Sequence, residues 1–311
     1  MIKKSFFKTS QNRLAYFEFD HKSNAETLVF LNGLSDSIES WSEIKSYFKG
    51  KYSTLFIDLI GQGQALEEEI KRTPPPNFVI SAAEQAEVLK EVWLSLQIKS
   101  GFHLVGFSYG GGIAIRFATL YPELVHQLIL FLPYTIRLDL AFPIQRAWAD
   151  QIGLLKNFNF LRPHINIIGS SYQKMMRDYM NFRFSKQIPD HHRRQISMDL
   201  TEGIMPFNAF DVFDSLPDKA VHLVTVEHDT LVPKSLYREI WSRLPESKKR
   251  SWLSIQDGEH LIFEQAPMYC AQWIETVLSM KATKHPRLFV GHSYRMETKE
   301  VTETPHSSHS A

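Results

Sequence analysis

Short apolar runs alternate with amphipathic stretches along the first 132 residues of this 311-residue chain. Phe6 to Phe19 reads as two strands that open a sheet, and Thr27 to Leu31 as a central strand. Helical spacing follows near Trp41 to Phe48 and again from Ser81 to Leu96. Phe102 to Phe107 is a mostly apolar run of the kind buried in a parallel sheet, Ile113 to Leu120 returns to helical spacing, and Val125 to Leu132 reads as the next strand. Such alternation predicts a mainly parallel sheet covered on both faces, with ligands bound at the carboxyl ends of its strands. Pro74-Pro75-Pro76 cannot continue a helix, so it reads as a stiff surface connection before the helix at Ser81.

The alternation stops after Leu132 and resumes with an apolar strand from Ala220 to Val226. Between them Phe142, Trp148, Phe158, Phe160, Tyr172, Tyr179, Phe182 and Phe184 lie among basic residues, in a pattern of amphipathic helices without strands. We read residues 133–217 as a helical cap inserted into a core formed by 1–132 and 218–281. Within that core, Trp252 to Ile255 is a further strand, and a helix begins near Pro267. From Lys281 the chain turns polar, and 282–311 is expected to be a disordered tail. Leu288-Phe289-Val290 could dock on the core, but three apolar residues are a slim basis for it.

Hydrophobic residues make up 43% of the chain, enough to bury a large core. Lysine and arginine total 35 against 34 acidic residues, so no global field draws nucleic acid or an anionic membrane. The one cysteine, Cys270, cannot form an internal disulfide and lies in an apolar helical stretch with Trp273 and Ile274, where a buried structural thiol is expected. Metal sites of the cysteine-rich kind are thereby excluded, and His191-His192-Arg193-Arg194 reads as a solvated helix face or loop. Lys3 and Lys4 are not followed by an apolar run long enough for a signal peptide, and no segment reaches membrane-spanning length, so a cytoplasmic location is expected.

The chemistry is concentrated in His103-Leu-Val-Gly106-Phe107-Ser108-Tyr109-Gly110-Gly111-Gly112, where a strand gives way to a helix across a serine set between glycines. A serine hydroxyl attacks poorly at neutral pH and needs presentation on a sharp turn beside a base and oxyanion donors. Gly106 and Gly110 leave room for such a turn. With a strand before it and a helix after it, this Gly-x-Ser-x-Gly is similar to the nucleophile elbow of the α/β-hydrolase superfamily, which the chain resembles from about residue 5 to residue 280. The resemblance implies an eight-stranded, mainly parallel sheet with helices on both faces and, at the position of 133–217, a cap over the active site.

In that superfamily the acid follows a late strand and the histidine precedes the last helix. Glu227-His228-Asp229-Thr230-Leu231-Val232-Pro233 stands in the first place, with Pro233 opening the next helix, and Asp257-Gly258-Glu259-His260 in the second. The implied triad is Ser108, Asp229 and His260, with Glu227 a rival carboxylate two residues from Asp229. The implied oxyanion hole comprises the backbone N–H groups of Tyr109 and of Leu34, the latter in Asn32-Gly33-Leu34 after the central strand. Asn32 replaces a usual histidine whose side chain braces the loop, and asparagine can still hydrogen-bond locally. Ile57-Asp58-Leu59-Ile60-Gly61-Gln62-Gly63-Gln64 completes the resemblance as a loop that shapes the rim of the site, with Gln64 where serine is common. It lacks the lysine of a phosphate-binding loop. Val226 stands where a glycine often precedes the acid loop.

Together these residues imply an esterase that forms an acyl-enzyme on a small-molecule acyl substrate, without cofactor or metal. An acyltransferase or thioesterase acting on hydroxyacyl carriers would use the same triad. A non-catalytic binding protein on this fold is a third reading, though such proteins usually lose a triad member.

Overall fold

The computed structural model describes residues 2–98, 100–135, 190–229, 231–232, 234–280, 283, 285–293 and 302–303. One sheet organises them. Its strands are β1 (Ile2–Lys8), β2 (Leu14–Asp20), β3 (Thr27–Leu31), β4 (Ser53–Asp58), β5 (Phe102–Phe107), β6 (Val125–Phe131), β7 (Val221–Val226), β8 (Lys249–Ile255), β9 (Arg287–Gly291) and β10 (Thr302–Glu303). They lie in the order β1-β2-β4-β3-β5-β6-β7-β8-β9-β10. From β4 to β9 every neighbouring pair is parallel, whereas β1 and β2 join antiparallel at one edge and β10 at the other.

The burial of each strand follows from its place. β3, β4, β5 and β7 are buried along their whole length, as strands covered on both faces must be. β1, at the edge, has no buried residue and carries Lys3, Lys4 and Lys8, charges that discourage pairing with another chain. Its start at Ile2 extends the strand read from Phe6.

The helices are α1 (Ser42–Phe48), α2 (Gly63–Glu69), α3 (Ala82–Ser95), α4 (Tyr109–Leu120), α5 (Asp190–Ile204), α6 (Lys234–Arg243), α7 (Ile262–Gln265) and α8 (Pro267–Ser279). They cover both faces of the sheet, with α1 packed against α8 and α3 against α4. Ser81 is the cap of α3: its hydroxyl accepts the Glu84 N–H at 3.2 Å while Glu84 accepts the Ser81 N–H at 2.8 Å. In α8, Cys270 is fully buried and burial pushes its thiol up, consistent with a structural role. Among the described residues no helix is long and apolar enough to cross a membrane.

The sheet contains two strands beyond the eight expected, and β9 corrects the expectation of disorder from residue 282. The exposed edge of β8 is a template for one more parallel strand, and Ser251 to Ile255 pair with Arg287 to Gly291. Phe289 is buried against the Trp273 ring, with centroids 5.0 Å apart, and Leu288 packs at the margin of the core, so a short apolar anchor adds to the backbone pairing. Of the expected cap, α5 and a 3-10 turn at Ala209–Ser215 are described. The eight aromatic residues named above, from Phe142 to Phe184, lie outside the described residues, as do Thr230, Pro233 and the side chains of His191 to Arg194.

Candidate active site

Ser108 sits between β5 and α4 with φ 50° and ψ −114°, a strained backbone for an L-residue. Neighbouring strands and loops hold it there. Its N–H donates to Phe131 O at 2.9 Å, and its carbonyl accepts from Tyr134 N at 2.8 Å and Gly111 N at 2.9 Å. The strain therefore rests on the serine, while the glycines serve close approach. A Cβ on Gly106 would meet Ala114 Cβ at 2.7 Å, and one on Gly110 would meet the carbonyl oxygens of Leu31 and Asn32 at 2.5 Å. The second contact matters more for chemistry, because it seats the first turn of α4 against the end of β3.

The loops at the carboxyl ends of β7 and β8 bring the other two predicted residues to this serine. His260 Nε2 lies 3.0 Å from Ser108 Oγ, and His260 Nδ1 lies 2.9 Å from Asp229 Oδ2 and 3.1 Å from Oδ1. Both side chains are secluded, at 4% exposure for His260 and 1% for Asp229. Burial on its own raises the Asp229 carboxyl, but His260, the Tyr237 hydroxyl and the Val232 N–H outweigh it and hold the group below the usual carboxylate range. Asp229 Oδ1 also accepts the N–H groups of Leu231 and Val232 at 2.8 and 2.9 Å. Glu227 is engaged elsewhere, with Lys234 and with Ser254 Oγ at 2.9 Å. Val226 is accommodated because the histidine loop has Gly258 opposite it, where a Cβ would come within 2.6 Å of Val226 Cγ1.

Beneath His260 lies an aromatic floor. Phe107 is 5.6 Å from the imidazole, and Phe263 contacts Phe107, Phe131 and Trp41 at centroid distances of 5.4, 4.5 and 4.4 Å. These rings pack on one another beneath the imidazole, which is buried.

Tyr109 and Leu34, the two predicted donors, stand on the elements joined at Gly110. Tyr109 is the first residue of α4, where helical N–H groups have no partner within the helix. Its phenol is buried and receives the Gln85 amide at 3.3 Å. Leu34 follows Gly33 beyond the end of β3, packed at the margin of the core.

Asn32 braces this loop. Its amide donates to Asp58 Oδ1 at 2.8 Å and Ile57 O at 3.1 Å, and its Oδ1 accepts the Trp41 indole N–H at 2.5 Å. Asp58, fully buried, also accepts the N–H groups of Ile38 and Gln64 at 2.8 and 3.0 Å. Burial still prevails and pushes its carboxyl up to about 7. Ser35, the residue after Leu34, has φ 57° and shares a buried 2.5 Å hydroxyl contact with Ser197 of α5, which ties the cap helix to the loop that carries Leu34.

Tyr237, Trp41, Gln62 and Ser197 escaped the sequence reading. Each acts on a residue outside its own element, and nothing in its local pattern separates it from a packing or surface residue.

A family model described as "alpha/beta hydrolase fold" matches residues 26–267. Among curated relatives, the chain is 23% identical over 275 residues to the hydrolase YugF of Bacillus subtilis, covering 83% of this chain and 92% of that one. It is 29% identical over 132 residues to a 1-acylglycerol-3-phosphate O-acyltransferase of Arabidopsis thaliana, covering 40% of this chain and 30% of that one. The first curated relatives, from Mycobacterium, are matched over only 28% of their length. Among solved structures, MGS-M2, an alpha/beta hydrolase enzyme from a Medee basin deep-sea metagenome library, superposes with a TM-score of 0.68 at 18% identity, covering 90% of this chain and 99% of that one. With its parallel sheet, its elbow and a family match over most of its length, the chain belongs to the α/β-hydrolase fold family.

Proposed function

We propose that this protein is a serine hydrolase that cleaves carboxylic esters through an acyl-enzyme on Ser108. The observation that carries the reading is the unbroken line from Ser108 Oγ to His260 Nε2 at 3.0 Å and from His260 Nδ1 to Asp229 at 2.9 Å. His260 takes the Ser108 proton as Oγ attacks the ester carbonyl, and the oxyanion forms toward the N–H groups of Leu34 and Tyr109. Collapse expels the alcohol, which leaves with the proton held on Nε2. Water then attacks the acyl-enzyme with His260 again as base, releasing the acid and restoring Ser108. Asp229, its carboxyl held below the usual carboxylate range by its donors, holds the imidazole with its proton on Nδ1 and stabilises the imidazolium. No step requires a cofactor. The aromatic-rich insertion supports an apolar acyl or aryl group as the preferred substrate.

Acyl transfer to an alcohol or thiol acceptor is the second reading, favoured by the match to a plant acyltransferase. A panel of p-nitrophenyl esters of increasing chain length, run beside acyl-CoA thioesters and with added alcohol acceptors, separates the two. Ester hydrolysis that vanishes in Ser108→Ala is expected. Thioester turnover or acceptor-dependent product without ester hydrolysis would replace the first reading with the second, and no turnover of any substrate would leave a binding protein.

A further inference from the structure

We infer that Gln62 is a positioning residue for the oxyanion loop, its side-chain amide setting the direction in which the Leu34 N–H points. The inference rests on the hydrolase reading of Ser108. Leu34 N and Gly33 O belong to one peptide unit. The sole cis bond among the described residues is Thr73–Pro74, so this unit is trans, and its carbonyl and N–H point to opposite sides of the chain. Whatever grips the Gly33 carbonyl therefore aims the Leu34 N–H.

The grip is the Gln62 amide, with Nε2 2.8 Å from Gly33 O; a longer bond from Asp36 N, at 3.3 Å, is the second. Gln62 reaches inward from the loop after β4 and is fully buried. It is itself anchored, because its N–H donates to Leu59 O at 3.0 Å and its Oε1 accepts the Leu59 N–H at 3.4 Å. The two spaced glycines make this possible. Gly61 and Gly63 have φ of +80° and +41°, while Gln62 between them is extended at φ −121°. A Cβ on Gly63 would overlap the Asp58 carboxylate, and one on Gly61 would press on Leu200 of α5. The Gly-Gln-Gly turn is thus packed between the Asn32–Asp58 brace and the cap helix, with its one amide directed at the peptide that carries the oxyanion donor.

A donor aimed at an oxyanion contributes only when the charge develops, so misaiming it lowers kcat and spares KM. Gln62→Met conserves volume and removes the donor. Removing an oxyanion donor outright costs roughly 100- to 1,000-fold; with the Asp36 N–H still in place, a loss of about 10- to 100-fold in kcat is expected, at unchanged KM. A trifluoromethyl ketone matched to the acyl chain, which adds Ser108 to form an oxyanion, should lose affinity by the same factor. The corresponding methyl ketone should bind as before. Gln62→Glu gives a second test: its carboxylate opposes the Gly33 carbonyl, whereas its protonated form donates to it, so kcat relative to wild type should rise as the pH falls. That ratio decides the matter where the methionine variant does not fold.

Wild-type kcat in a folded Gln62→Met, a loss confined to KM, or equal weakening of both ketones would overturn the inference and leave the hydrolase reading intact. A wild-type protein that neither hydrolyses esters nor binds the trifluoromethyl ketone would sink both.

Discussion

Replacing Asp229 by asparagine tests the acid assignment at a single atom. The N–H groups of Leu231 and Val232 donate to Oδ1 at 2.8 and 2.9 Å, which obliges asparagine to keep its oxygen there. Its NH2 group must then occupy the place of Oδ2, facing His260 Nδ1 at 2.9 Å. An amide donor at that point forces the imidazole proton onto Nε2, the atom that must accept the Ser108 proton. The geometry survives and the tautomer is wrong. The expected loss in kcat is about 10⁴-fold, equivalent to ~5.5 kcal/mol of barrier. Glu227→Gln is the matched control. Its carboxylate pairs with Lys234 and Ser254, at 17% side-chain exposure, so its neutralisation should change kcat less than about threefold. Both variants are assayed at saturating p-nitrophenyl ester near pH 8, with folded protein quantified by circular dichroism. Retention of a tenth or more of wild-type kcat by Asp229→Asn, or a greater loss in Glu227→Gln, would refute the assignment.

Two further outcomes are expected. Phe263→Ala removes the ring shared by Trp41, Phe107 and Phe131 and should cost about 3–5 kcal/mol in urea unfolding; a loss below ~1 kcal/mol would show that the aromatic floor does not hold the histidine loop. Asp58 should titrate near 7 by carboxyl carbon NMR, because burial raises it in the folded state. With the folded value above the unfolded one, wild-type stability relative to Asp58→Asn is fully present below about pH 4 and declines as pH rises to about 7, by at most on the order of 4 kcal/mol. A difference that stays flat over that interval would contradict the burial argument.

The parts of this molecule that were legible in its sequence are those written in local periodicity. β3, β5 and β7 are mostly apolar runs because both faces are covered, and Ser108 is visible because a strand, a glycine-flanked serine and a helix in succession are the pattern of an elbow. Asp229 and His260 are singled out by their positions after strands, and the structure brings both within hydrogen-bond reach of one another and His260 of Ser108. Contacts between separate elements were not legible. Tyr237 meets Asp229 from the following helix, and Asn32, Asp58 and Trp41 converge from three elements. β9 escaped because a short strand needs little hydrophobicity once β8 offers it a complete ladder. Position 64 clarifies a departure noted in the sequence: the contact to Asp58 uses the backbone N–H of Gln64, so its side chain need not be the serine common there.

The most direct test of the central claim is labelling with a fluorophosphonate, read by intact-protein and peptide mass spectrometry. One adduct per chain, on Ser108, is predicted for wild type, with none in Ser108→Ala and at least a hundredfold slower labelling in His260→Ala. An adduct on another residue, or wild-type labelling no faster than that of His260→Ala, would contradict it.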